Sequence, residues 1–179
     1  MKLKIIGAIL AGLALSTGAA FGPQDTEEAA PKGPHLDQIK RLAGTWVALD
    51  DDGEPTEKVV SRYSVTAAGS AVLEILFPGT DQEMVTVYHQ NGDDLVLTHY
   101  CVMGNQPYMK AKKDSGKDRI VFEAVRVGNA KSDDEPAMRK GTVHFRGPDR
   151  ISSEWLMIAG GEVTYEASFD LARLKDGGK

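Results

Sequence analysis

MVTVYHQNGDDLVLTHYCVMGNQP, residues 84–107, reads as two strands folded back on each other at Asn91-Gly92. Apolar and polar side chains alternate on both sides of that pair. Asn-Gly between alternating runs is the strongest short-range hairpin signal, because a tight primed turn needs positive φ at its central residues. With Asn91-Gly92 as the two-residue turn, Gln90 pairs with Asp93. Met84, Thr86 and Tyr88 then share one face with Leu95, Leu97, His99 and Cys101. Val85, Val87 and His89 share the other with Asp94, Val96, Thr98 and Tyr100. The second strand runs into a polar cluster of His99, Cys101, Asn105 and Gln106, ended by Pro107.

Outward from this hairpin the chain is strands and short turns. Alternating runs cover Val59 to Val65, Ala71 to Phe77, Ile120 to Val125, Thr142 to Arg146, Ile151 to Met157 and Val163 to Leu171, with a further run near Tyr108 to Lys112. Pro78-Gly79, Gly147-Pro148-Asp149 and Gly160-Gly161 punctuate them. With Trp46 to Leu49 as the first, this predicts about ten strands. No interval is long enough for the crossover helices of a parallel sheet. Closing an antiparallel meander removes its exposed edges, so an all-β, antiparallel up-and-down barrel is expected over residues 35–175, with a Greek-key sandwich as the alternative. Leu36, Ile39 and Leu42 mark one face of a short N-terminal helix, which Gly44 is expected to stop.

Residues 1–20 read as an export signal. Lys2 and Lys4 give the positive head, Ile5 to Leu15 the apolar middle, and Ser16 to Ala20 the small residues a signal peptidase needs. A retained N-terminal anchor is the alternative, but the apolar run falls short of the roughly 20 residues a span requires. Residues 21–34, with Pro23, Pro31 and Pro34 among acidic side chains, have little to bury and read as a disordered linker. Residues 176–179 are a tail. The expected location is therefore periplasmic or extracellular.

Without Lys2 and Lys4, 19 basic residues face 26 acidic ones, a net charge of −7. That balance argues against nucleic acid and against anionic membrane surfaces. It suits a soluble protein that keeps no membrane span once processed, and a monomer is expected. Cys101 is the only cysteine, so the domain is held by its core and not by a disulfide.

A short helix, then Gly44-Thr45-Trp46 opening the first strand of a β meander, resembles the calycin superfamily of lipocalins, fatty-acid-binding proteins and their bacterial lipocalin-like relatives. The resemblance covers roughly His35 to Leu174. It implies that Trp46 closes one end of the barrel beneath a basic side chain from the last strand, and Arg173 is the residue able to serve. Leu97-Thr98-His99-Tyr100-Cys101 with Gly104-Asn105-Gln106-Pro107 also resembles bacterial exported proteins of the lipocalin-like kind, which implies a fold and no activity. Two departures matter. The Arg-x-Tyr pair that grips a carboxylate in fatty-acid-binding proteins is replaced by Tyr165-Glu166-Ala167. The glycine-rich run of haem-carrying nitrobindins is absent, since Val47-Ala48-Leu49 follows Trp46.

Three functions remain open. The first is a binding module for a small hydrophobic or amphipathic molecule. Tyr63, Leu73, Ile75, Phe122, Phe145, Trp155, Tyr165 and Phe169 would line its interior, His99 and Tyr88 would anchor the ligand, and Cys101, Asn105 and Gln106 would lie beside them. The second is a hydrolase or isomerase-type enzyme using His99 as acid or base. The third is a structural barrel filled by its own side chains. No nucleophile elbow, zinc-protease helix or phosphate-cradling loop is present. His99 and Cys101 could give a zinc or copper site two ligands, but the sequence names no others, so neither metal nor cofactor is assigned. Asp50-Asp51-Asp52-Gly53-Glu54 lacks the ligand spacing of a calcium loop.

Overall fold

The computed structural model describes residues 34–175. The expected export signal, nearly all of the expected linker and the tail lie outside the described residues. A short helix, α1 (Leu36–Lys40), precedes ten strands: β1 (Gly44–Leu49), β2 (Pro55–Thr66), β3 (Ala71–Leu76), β4 (Met84–Asn91), β5 (Asp94–Tyr100), β6 (Gln106–Ala111), β7 (Arg119–Gly128), β8 (Ala137–Phe145), β9 (Arg150–Ala159) and β10 (Glu162–Arg173). Each strand pairs antiparallel with the next, and β1 pairs with β10, so the sheet closes into an up-and-down barrel. Among the described residues, no helix is long and apolar enough to cross a membrane.

The central hairpin forms, with its turn one residue later than expected. Asn91 pairs with Asp94, and Gly92-Asp93 is the turn. Gly92 has φ +59, while Asp93 is not among the residues with positive φ. Positive φ at the first central residue alone is the type II′ pattern, which glycine adopts without a Cβ clash. The pairing therefore slides by two residues. Because side chains alternate with period two, each keeps the face expected for it. What changes is the partner: His99 stands opposite Thr86 and not Met84.

Strand β3 departs from expectation. Val72, Glu74 and Leu76 point inward, whereas Leu73 and Ile75, expected to line the interior, are half-buried on the outer side. The all-apolar face lost to the one carrying a glutamate because partners inside the barrel offset the cost of burying Glu74.

The end near α1 is closed. His35 caps the helix: its backbone N–H donates to Gln38 Oε1 at 3.0 Å, and its Nδ1 accepts from the Asp37 N–H at 3.3 Å. Leu36, Ile39 and Leu42 are buried against the barrel core. The helix ends at Arg41 and not at Gly44. Gly44 instead begins β1 with φ +132, and a Cβ there would lie 2.9 Å from Arg173 Nη1. Trp46 is fully buried, and its Nε1–H donates to the Leu42 carbonyl at 2.7 Å. The Arg173 guanidinium lies 4.5 Å from the Trp46 ring centroid and donates to the carbonyls of Arg41, Ala43 and Pro148 and to Asp149 Oδ1. One side chain from the end of β10 thus ties the helix exit, the β8–β9 turn and the tryptophan together.

Above this end the interior is filled. Tyr88 lies between Tyr63 and Phe122, with ring centroids 6.4 Å and 5.9 Å away. Phe122, Leu97, Met109 and Ile120 are fully buried around them. Phe145 packs at the edge of the core beneath Arg41, whose guanidinium is 5.1 Å from its centroid.

Candidate functional site: a half-empty barrel with a polar floor

The opposite half of the barrel is hollow. A cavity of about 470 Å³ is lined by side chains of β3, β4, β5, β8, β9 and β10 and by the loops after β3 and β5. Its walls are apolar: Leu76, Phe77, Met84, Met138, Met157, Ala167 and Phe169. Val102, Met103 and Tyr165 are about half exposed and form its rim.

Thr86 and His99 form the polar floor of the cavity, and they end a row of polar side chains that runs back into the packed half across four successive strands. Tyr63 is opposite Glu74, Glu74 opposite Thr86, and Thr86 opposite His99. All four are buried. Thr86 Oγ1 and His99 Nδ1 form a hydrogen bond of 2.9 Å, and the Tyr88 hydroxyl donates to Glu74 Oε2 at 2.7 Å. The Tyr63 and Thr86 hydroxyls face the same carboxyl.

Burial pushes the Glu74 pKa above the ordinary carboxyl value, and these hydroxyls oppose the shift by solvating the carboxylate. Burial, reinforced by the Glu74 charge, raises both phenol pKa values well above the usual 10. Burial alone holds His99 down at about 4, so at neutral pH it is an uncharged imidazole. With Nδ1 held by Thr86, Nε2 is the nitrogen left to the cavity, and it has no partner among the described residues.

The Trp155 ring stacks on His99 with centroids 6.3 Å apart and an interplanar angle of 24°. Gly141, directly opposite Trp155 across β8 and β9, makes room for the ring. A Cβ on Gly141 would lie 2.3 Å from Trp155 Cζ3, closer than packed atoms tolerate. Gly141→Ala is therefore expected to displace Trp155 into the cavity and to cost about 1–3 kcal/mol, the usual range for overpacking. A lowered melting temperature with changed tryptophan near-ultraviolet circular dichroism is the expected result. Unchanged values of both would show that Trp155 does not depend on this gap.

Of the residues expected at a binding site, the fold brings His99, Cys101, Trp155 and Tyr165 to the cavity, with Phe169 beside them. Tyr63, Tyr88 and Phe122 lie in the packed half instead, and Phe145 belongs to the closed end. Asn105 and Gln106 do not line the cavity. Asn105 Nδ2 donates to the Pro136 carbonyl at 3.0 Å, which joins the loop after β5 to the start of β8, while Gln106 Nε2 turns back to the Gly104 carbonyl at 2.8 Å. Their place after the strand had suggested nearness to His99, but the chain turns over the rim between Cys101 and Asn105, whose backbones are hydrogen-bonded at 3.2 Å. Glu74, Thr86, Phe77, Gly141 and the methionines were missed. Correct pairing of the central hairpin would have found Thr86. Glu74, the one charged residue within an apolar strand, was the signal for a buried carboxyl.

The fold and this chamber define a closed ten-stranded antiparallel barrel, filled in one half and hollow in the other, compatible with a calycin-like architecture. The chain matches no protein-family model, and no curated protein matches it.

Proposed function

We propose that this is an exported carrier of a small, mainly apolar molecule, held in the open half of the barrel with its polar group on His99 Nε2. The observation that carries the reading is the cavity itself. At about 470 Å³ it falls within the range of small-molecule sites, with apolar walls and few polar groups, as such sites have. With Nδ1 taken by Thr86, Nε2 is the atom that His99 offers to the cavity, and a ligand polar group paired with it gains orientation. The leader-like residues 1–20 support export.

Native mass spectrometry of protein purified from its own host tests both parts. The expected species begins near residues 20–23 and carries one bound molecule. An intact Met1 on cytoplasmic protein would refute export. His99→Leu keeps the approximate volume and removes the polarity. It is expected to abolish ligand retention while the fold survives. Retention unchanged in this variant would remove His99 as the anchor.

A further inference from the structure

Sulfur is concentrated in one place. The chain has six methionines and one cysteine, and Met84, Met103, Met138, Met157 and Cys101 all line the cavity. Met138 and Met157 stand directly opposite each other on β8 and β9. Trp155 and His99 are stacked, and Met157 and Cys101 each follow two residues later. Both therefore lie one side-chain layer nearer the mouth, about 7 Å at the ordinary strand rise. His99 is 6% exposed, and its Nε2 has no partner among the described residues. Behind it, Thr86 on Nδ1 and Glu74 beyond provide the kind of outer hydrogen bonding that orients a metal-bound imidazole.

We propose that the mouth of the cavity is a Cu(I) site, its set of at most four donors drawn from the Met84, Met138 and Met157 thioethers, the Cys101 thiolate and His99 Nε2. The donor set selects the ion. Among the described residues no group of three or more His, Cys, Asp and Glu side chains is placed to hold a metal, which leaves zinc and the hard cations without their ligands. Thioether, thiolate and imidazole together suit soft Cu(I). One thiolate also balances one positive charge, so the loaded site is neutral inside an apolar chamber, whereas a divalent ion would leave a buried charge unpaired. On binding, the Cys101 thiol proton leaves to solvent as the Cu–S bond forms, with no change of oxidation state. Exposed Met103 at the rim gives the ion its first contact.

The test is an anaerobic titration of reduced mature protein with Cu(I), in competition with a chromophoric Cu(I) chelator. One Cu(I) per chain and quenched Trp155 emission are expected. Thr86→Val should weaken binding roughly 10–100-fold, as removal of an outer-shell partner does. Met138→Leu with Met157→Leu conserves volume and should weaken it further. No uptake against the chelator would overturn the site. So would Zn(II) binding as tightly, or an affinity that ignores the methionine changes and depends on Cys101 alone, since the methionines would then be only a pliable apolar wall. Retention of an apolar dye, measured on the same proteins, keeps this result separate from the carrier reading, because leucine leaves the wall apolar.

Discussion

Trp46→Ala is expected to cost roughly 3–5 kcal/mol, the usual range for cutting a buried tryptophan to alanine. For a chain of this size that lowers the melting temperature by roughly 6–20 °C. The residue has no exposed surface. Its Nε1–H satisfies the Leu42 carbonyl at the helix exit, and its ring carries the Arg173 guanidinium at 4.5 Å. Alanine would leave a cavity beneath that guanidinium and an unpaired carbonyl at the closed end. Trp46→Phe retains an aromatic surface for Arg173 and loses only the donor, so a smaller loss is expected. Thermal unfolding of both variants checks the prediction. A curve for Trp46→Ala that overlays the wild type would show that this end does not hold the barrel shut.

Acid should destabilise the fold through His99. Its pKa is about 4 in the folded protein, against 6.5 for an ordinary histidine. Between those values the unfolded chain binds a proton that the folded chain refuses. Stability is therefore fully present above pH 6.5 and is lost as pH falls toward 4. At 1.36 kcal/mol per pKa unit the loss reaches about 3 kcal/mol. Glu74 acts in the opposite sense. Its raised pKa favours the protonated folded state, a contribution lost as pH rises through that raised value. Denaturant unfolding of wild type and His99→Leu, compared from pH 7 to pH 4 in a Glu74→Gln background, isolates the histidine. The stability difference between the two should move by about 3 kcal/mol in favour of His99→Leu as the pH falls. A constant difference would place His99 in contact with water.

The strands and their antiparallel order are legible in the residues alone, and a closed barrel is the solution they favour over a Greek-key sandwich. Alternation with period two, short turns and the absence of any crossover segment leave few other solutions for the β repeat. The hairpin pattern also places His99 on one face with Met84, Thr86 and Tyr88, a grouping that survives the two-residue slip because two is the period of the strand, but that this face points inward is settled by the closed barrel. The placing of Arg173 over Trp46 is what the calycin resemblance implied, and the structure pairs the two. The folded structure settles which face of β3 is buried. Local pattern favoured Leu73 and Ile75, but Tyr63, Tyr88 and Thr86 on the neighbouring strands offset the cost of an inward Glu74, and those partners meet it only when β2, β3 and β4 pair in this register. It alone decided that one half of the interior is solid and the other hollow. Whether inward side chains meet across a barrel depends on which layers they occupy: Tyr63, Tyr88 and Phe122 pack as tilted rings in one half, while Gly141 gives way to Trp155 in the other. A strand's own sequence sets the direction of each side chain, and closure sets what that side chain meets.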